Sequence, residues 1–377
     1  MGSYVENNSA FCDYCDFYSE DINNYNEDII DTFLSALLTD IKTQIDFFNI
    51  DKISTAYIGG GTPSVLGAHR IGSFLDELVK IKCFTPREFT IEANPETADA
   101  DFMRACAEGG ITRLSLGAQS FYEPSRKAVN RNGSLKSMEE SLSAAAVFFP
   151  QTFSADLLCG LPFQTEEIIA DDIKRLLEYN PSHVSLYSLI LEEGTVLENN
   201  VKTGKIPVPD TDTADILWLA GKETLENAGY EHYEVSNFSL SGKRCLHNIR
   251  YWLMDNWLGA GPAASGTIVD EDTGTARRFT FAPDAAAYIK NPSIENADCE
   301  NIGRHTLIRE SLLMGYRYIE GPDSLKFRSR FGVTIENCIG RTLDIWKGKD
   351  KMLFLNRFLK DAFNELESLE PIARQFP

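Results

Sequence analysis

The chain has no apolar run approaching the roughly 18 residues that a membrane-spanning helix needs. It has little positive charge: 36 Lys and Arg stand against 56 Asp and Glu, for a formal net charge of −20. Nucleic-acid binding is carried by clustered Lys and Arg, so no nucleic-acid partner is expected. The first residues, Met1-Gly2-Ser3-Tyr4-Val5-Glu6-Asn7-Asn8, have neither a basic head nor an apolar core. No secretory signal is expected there, and the cytosol is the expected compartment. Histidine is scarce at five residues, and of eight cysteines only Cys12 and Cys15 lie close together. That spacing reads as metal or redox chemistry, not as a disulfide framework.

What is present is ordinary globular material, 43% hydrophobic and 24% charged over 377 residues. This length suits one large domain and a smaller one. From 24 to 48 apolar residues recur at helical spacing (Ile30, Phe33, Leu34, Leu37, Ile41, Ile45). Short apolar runs then follow at 53–58, 89–93, 111–116, 153–158, 184–189 and 230–235. Amphipathic stretches separate them at 71–81, 99–108, 135–149, 166–178 and 213–228. Strands alternating with helices predict an α/β fold with a parallel sheet, and six strands fit an open or closed barrel. Parallel barrels build their sites at the C-terminal strand ends. After Gly266 the texture changes: 270–273 and 290–301 read as loops, and a helix-rich tail runs from His305, with a small β element near 332–334.

Polar motifs fall at those strand ends. Gly59-Gly60-Gly61-Thr62-Pro63-Ser64 follows the first run; three glycines let a backbone approach a ligand closely, and no Gly-Lys-Ser/Thr follows to make a phosphate loop. Glu92 ends the next run, where a carboxylate can accept from ribose hydroxyls. Gln119, Arg131 and Asp156 come after it. Each alone is as well explained by a turn; several in sequence order around one rim are not. Cys12-x2-Cys15 alone leaves a cluster, a redox pair and half a zinc site open.

Together these segments resemble the HemW branch of the radical S-adenosylmethionine (SAM) superfamily, proteins related to oxygen-independent coproporphyrinogen III oxidase. The resemblance rests on Cys-Asp-Tyr-Cys-Asp-Phe at 12–17, Gly-Gly-Gly-Thr-Pro-Ser at 59–64, Ile-Glu-Ala-Asn-Pro-Glu-Thr at 91–97 and Arg-Leu-Ser-Leu-Gly-Ala-Gln-Ser-Phe at 113–121. It continues with Asp-Leu-Leu-Cys-Gly-Leu-Pro-Phe-Gln-Thr at 156–165, Tyr-Glu-His-Tyr-Glu-Val-Ser-Asn-Phe at 230–238 and His-Asn-Ile-Arg-Tyr-Trp at 247–252. It implies a partial TIM-type (β/α)6 radical SAM barrel over 1–266, connecting loops over 267–300 and a small helix-rich C-terminal domain over 301–377. It implies that Cys12 and Cys15 ligate a [4Fe–4S] cluster and that the backbone at Tyr14 contacts SAM. Gly60, Gly61 and Thr62 would line the SAM methionine moiety, and Glu92 would hold SAM at the cluster. Gln119, Arg131 and Asp156 match contacts to a second SAM in the related oxidase. Imidazole is a common haem ligand, so His247 is the candidate for haem, with Tyr251 and Trp252 as aromatic packing and His232 as a lesser candidate. Cys159 and Cys245 are expected to be buried small residues. The implied function is a haem chaperone that passes haem to an acceptor protein. The alternatives are a coproporphyrinogen III oxidase and a non-catalytic binding paralogue.

Two features depart from the family pattern. Its cluster takes three thiolates in Cys-x3-Cys-x2-Cys, and the first position here is Asn8, whose amide is a poor ligand for iron. The residues before it are short and polar where the family has an apolar strand. The first barrel strand is therefore expected to be missing or replaced, leaving 53–58 with an open edge. An altered start of the chain explains both departures; a paralogue lacking a complete cluster explains the first alone. The oxidase also carries a cysteine two residues after its third ligand, where this chain has Phe17, which favours the chaperone.

Overall fold

The structure is a computed structural model that describes residues 3–5, 13–14, 18–21, 25–131, 133–352 and 354–368. Two short strands, β1 (Ser3–Val5) and β2 (Ser19–Asp21), pair in parallel with each other. Helix α1 (Glu27–Phe47) starts at Asn26, whose side chain accepts from the Ile29 amide and so satisfies one of the donors a helix start leaves open. Strands and helices then alternate: β3 (Ile53–Ile58), α2 (Gly67–Leu78), β4 (Phe84–Ala93), α3 (Ala100–Glu108), β5 (Arg113–Gln119), α4 (Glu123–Ala128), α5 (Leu135–Phe148), β6 (Phe153–Cys159), α6 (Glu166–Leu177) and β7 (His183–Ser188). Strands β3 to β7 are parallel and pair in sequence order. After α7 (Val196–Lys202) and α8 (Thr211–Asn227), strands β8 (Glu231–His232) and β9 (Asn237–Ser239) complete a seven-stranded sheet that curls into a half-barrel.

Successive residues of a strand face opposite sides of the sheet, and here the two sides differ sharply in polarity. Phe89 and Ile91 of β4, Leu114 and Leu116 of β5, and Phe153 and Ala155 of β6 join the helices in one apolar core. The residues between them put Glu88, Glu92, Arg113, Ser115, Ser154 and Asp156 on the concave inner face. Helix α9 (Leu246–Trp252) and the residues before it close one end of that face. Buried Glu88 accepts from the Leu246 amide at 3.0 Å, the His247 amide at 2.8 Å and Arg113 Nε at 3.1 Å. Arg113 donates onward to the Ser154 hydroxyl at 3.1 Å and the Lys243 carbonyl at 2.8 Å.

Three antiparallel strands follow, β10 (Ser265–Asp270), β11 (Thr275–Thr280) and β12 (Asp298–Ile302), with α10 (Ala285–Lys290) between the last two. Helices α11 (Arg304–Gly315), α12 (Ser324–Phe331), α13 (Ile335–Ile345) and α14 (Leu355–Ser368) form a second core around Leu307, Leu312, Phe331, Ile339 and Phe358. Among the described residues β3 pairs on one side only, with β4. A groove of about 920 Å3 runs along it, bounded by Leu37 and Ile41 of α1 and by Trp257 and Ile268. Among the described residues no helix is long and apolar enough to cross a membrane.

Three expectations are corrected. The run at 230–235 is not a sixth parallel strand. It yields two-residue β8, and β9 inserts antiparallel between β7 and β8. Its second half pairs elsewhere: the Val235 amide donates to the Arg317 carbonyl at 3.1 Å and the Ile319 amide to the Tyr233 carbonyl at 3.0 Å. Within the stretch read as loop at 290–301, β12 pairs with β11; its Asp-Cys-Glu-Asn start is exposed, so an edge strand gives no apolar alternation. At 332–334 there is no strand: Gly332, left-handed at φ 61°, ends α12, and Thr334 caps α13.

Glu88→Ala leaves the buried Arg113 guanidinium without its countercharge and α9 without its anchor. We predict a loss of about 3 kcal/mol in unfolding free energy, the scale for breaking a buried pair. Urea denaturation checks this, and a loss under about 1 kcal/mol would show that the closing segment does not depend on Glu88.

Candidate functional site

At its C-terminal end β3 runs into the three glycines. Gly60 is left-handed at φ 81°, which turns the chain and aims its amide at Glu92 Oε2, 3.1 Å away. A Cβ on Gly59 would lie 2.6 Å from the same oxygen, so the close approach of turn and carboxylate requires glycine there. Tyr57 donates its hydroxyl to Glu92 Oε1 at 2.7 Å. Glu92 is thus fixed from both sides. Burial raises its pKa, against the lowering effect of those two bonds. Burial and the neighbouring Glu92 charge hold the Tyr57 phenol well above its ordinary value, so it stays a donor.

Asp156 lies two strands away on the same face. The Ser115 hydroxyl reaches its carboxylate at 3.4 Å and Ser185 bonds it from β7. Burial first, and the Glu92 charge second among the raising causes, push its pKa up to about 7. Gln119, left-handed at φ 67°, and Arg131 converge over Gly117: a Cβ there would meet Gln119 Nε2 at 3.0 Å and Arg131 Nη2 at 3.3 Å. The Arg131 charge acts on Asp156. The rim therefore gathers Gly60, Gly61, Thr62, Glu92, Gln119, Arg131 and Asp156 at the same ends of adjacent strands. Tyr14 reaches this rim half-buried, packed with Val129, Leu158, Leu161 and Leu197. Asn8, Cys12 and Cys15 lie outside the described residues.

His247 sits toward the closed end of the barrel. Its Nδ1 is 3.0 Å from the Thr55 hydroxyl, and its ring stacks on Tyr57 with centroids 5.2 Å apart. Burial lowers its pKa to about 4, so the imidazole is neutral at pH 7. With Nδ1 engaged, Nε2 is the nitrogen suited to a metal. Tyr251 packs edge-on against His247 at 5.2 Å, whereas Trp252 lines a small cavity with Pro322 and Phe327. Trp257 packs in turn on Tyr251, with ring centroids 5.1 Å apart. His232 stacks on Phe238 at 4.5 Å in the core beside Trp218. Cys159 and Cys245 are buried, and burial raises both thiols, Cys245 to about 12.

Tyr57 is the site residue that the motifs do not reveal. Alternation along 53–58 offers a signal, since it puts Thr55, Tyr57 and Gly59 on one face. A further clue lies in unpaired inner-face groups: Thr90 Oγ1, His183 Nδ1 and Asn237 Oδ1 are buried with no hydrogen-bond partner. Acceptors, amides and unpaired polar atoms around one concave face fit a cationic ligand rich in hydrogen-bonding groups, as SAM is.

The profile of the Radical SAM superfamily matches residues 8–176. Over 315 residues the chain is 34% identical to the mouse Radical S-adenosyl methionine domain-containing protein 1, mitochondrial, covering 81% of this chain and 70% of the relative. It is 31% identical over 337 residues to the Heme chaperone HemW of Lactococcus lactis subsp. lactis (strain IL1403), covering 89% of this chain and 86% of the relative. Among solved structures, the coproporphyrinogen III oxidase HemN of Escherichia coli superposes with a TM-score of 0.75 at 18% identity, over 96% of this chain and 88% of that one. Likeness at that identity shows the shared half-barrel fold. Sequence identity sustained along most of both chains shows that this chain belongs to the HemW branch of the radical SAM superfamily.

Proposed function

We propose that the protein is a haem chaperone of the HemW type, which binds haem through His247 and SAM at the rim, and passes haem to an acceptor protein. The observation that carries this reading is a neutral, half-buried imidazole packed on the same tyrosine that orients the rim carboxylate. Membership of the superfamily implies SAM and a [4Fe–4S] cluster as cofactors. When bound, the two supply one-electron radical chemistry. The chain's own part is to bind and orient. Tyr57 and the Gly60 amide hold Glu92 in place, Glu92 would accept from a bound ligand's donors, and Asp156, when ionised, would add negative charge that favours a cationic ligand. The donor set for the cluster is two thiolates, Cys12 and Cys15, with a carboxamide at Asn8, one thiolate short of the three such a cluster takes. That shortfall keeps a second reading in play, a binding paralogue that does not turn SAM over. Anaerobic reconstitution with iron and sulfide of a chain restored at position 8 (Asn8→Cys) separates the two: absence of [4Fe–4S] absorption there supports the binding paralogue.

Hemin added to the purified chain should give a Soret shift that His247→Ala alters; an identical spectrum removes His247 as the ligand. By calorimetry, Glu92→Ala should weaken SAM binding at least tenfold, given the ~1.5–3 kcal/mol of a charge-assisted hydrogen bond. Tyr57→Phe should weaken it about threefold by freeing Glu92; unchanged affinity in both variants would remove the rim assignment.

Asp156 adds a pH signature. Its folded value near 7 lies above the ordinary 3.8, so folding takes up a proton between these values. Stability of the ligand-free chain should therefore fall as pH rises from about 4 to about 7. SAM affinity should rise as the carboxylate ionises around pH 7. Asp156→Asn should abolish both trends and melt higher than the wild type at pH 8. Melting curves parallel at every pH would place the titration elsewhere.

A further inference from the structure

Strand β5 ends on a glutamine in a backbone conformation that glycine adopts without strain. The Ser120 amide donates back to the Ala118 carbonyl at 2.9 Å, closing a three-residue turn around Gln119, left-handed at φ 67°. A turn of that hand is rare and strained for a residue with a Cβ. One extra residue also enters β5 here: Leu116 pairs with Ala155, but Gln119 pairs with Leu157. Such a bulge re-aims a side chain. The result is visible at Gly117, where an added Cβ would meet Gln119 Nε2 at 3.0 Å. Gly117 falls on the same face as Arg113 and Ser115, so the glutamine amide lies over the concave side.

Strain persists only where the surroundings hold it. Two buried side chains hold this turn, and neither has a part in the site chemistry derived above. Asp172 of α6 accepts from the Ser120 hydroxyl through Oδ2 at 2.6 Å and from the Phe121 amide through Oδ1 at 2.7 Å. Arg126 of α4 donates to the carbonyls of Ala118 at 3.0 Å and Ser120 at 3.1 Å. The Ser120 hydroxyl oxygen accepts in turn from the Tyr122 amide at 3.0 Å, and the Arg175 guanidinium covers the Phe121 ring at 4.7 Å. Both Asp172 oxygens are therefore committed to the turn. Burial pushes this carboxyl up to about 6, against the two bonds that lower it.

We propose that Asp172 is the positioning residue for Gln119: from the helix layer it holds the strained turn that aims the glutamine amide at the ligand of the rim. The need for a side chain at 119 explains why glycine does not stand there. Binding measurements on this pair rest on the rim reading above; measurements on the turn itself do not.

Asp172→Asn keeps the volume and one acceptor oxygen, but sets a donor against a donor at the other. In the ligand-free full chain, hydrogen exchange at the amides of 120–122 should accelerate at least tenfold, with wild-type rates kept in β6 and β7. By calorimetry SAM affinity should fall about fivefold, and fall no further when Asp172→Asn is added to Gln119→Ala, because Asp172 acts through that side chain. A role in general stability would lower affinity by the same factor in both backgrounds; that result overturns the proposal, as does unchanged exchange at 120–122. Gln119→Gly relieves the turn, so it should melt above the wild type while binding SAM as weakly as Gln119→Ala. A lower melting temperature would show that the turn stores no strain and would also overturn it. If Asp172→Asn does not fold, Ser120→Ala, which removes the hydroxyl that links the turn to Oδ2, takes its place in every measurement. If the wild type binds no SAM, the rim reading fails, and exchange with the Gln119→Gly melting curve decides the positioning role alone.

Discussion

A single buried carboxylate closes this half-barrel. The concave face is polar where the cover sits, with Glu88, Thr90, Arg113, Ser115 and Ser154 side by side on β4 to β6, so charge and hydrogen bonds hold the cover in place. Glu88 does that work with charge and hydrogen bonds, gathering the amides of Leu246 and His247 and the guanidinium of Arg113. A buried ion pair is weak support for stability in general, because desolvation offsets attraction. Here each partner also satisfies backbone groups of the closing segment, and those groups would otherwise be buried unpaired. The pair therefore fixes where α9 sits, and His247 sits on α9. Everything proposed for that imidazole depends on a contact made at the far end of strands whose other ends carry the rim.

The rim inherits the same polar surface at a different cost. Glu92 and Asp156 are surrounded by protein yet touch the concave cavity, so their charge is poorly solvated and their pKa values rise. A carboxylate held that way destabilises the ligand-free protein and is relieved by a cation or a donor. Tyr57 joins the two regions: its hydroxyl orients Glu92 while its ring lies against His247. Chemistry at one end of β3 and packing at the other thus share one side chain.

Much of this was legible in the residues. The alternation of apolar runs and amphipathic stretches placed β3 to β7 and the helices between them to within a few residues, because outward-facing Phe89, Ile91, Leu114 and Leu116 carry a strong apolar signal. The glycine and carboxylate motifs marked the strand ends that do converge. What escaped had no local signature. Strand β12 is exposed and polar, and β9 is three residues long; both exist because a neighbouring strand offers free backbone groups. Trp252 comes five residues after His247 on α9, a spacing that turns it to a different helix face, whereas Tyr251, four residues on, shares the His247 face. Tyr57 is absent from every motif, since its importance comes from Glu92, 35 residues away.

Among the described residues β3 pairs on one side only, and that bears on how the protein behaves at high concentration. An unpaired strand edge is a template on which a second chain can add by backbone bonding alone. A formal charge of −20 keeps copies apart by long-range repulsion, a force that acts only as far as salt allows. At 1 M salt its reach shrinks to about 3 Å, less than the spacing between paired strands. Colloidal stability in this molecule is therefore lent by the acidic surface to an edge that has none of its own, and it is withdrawn when the surface is screened.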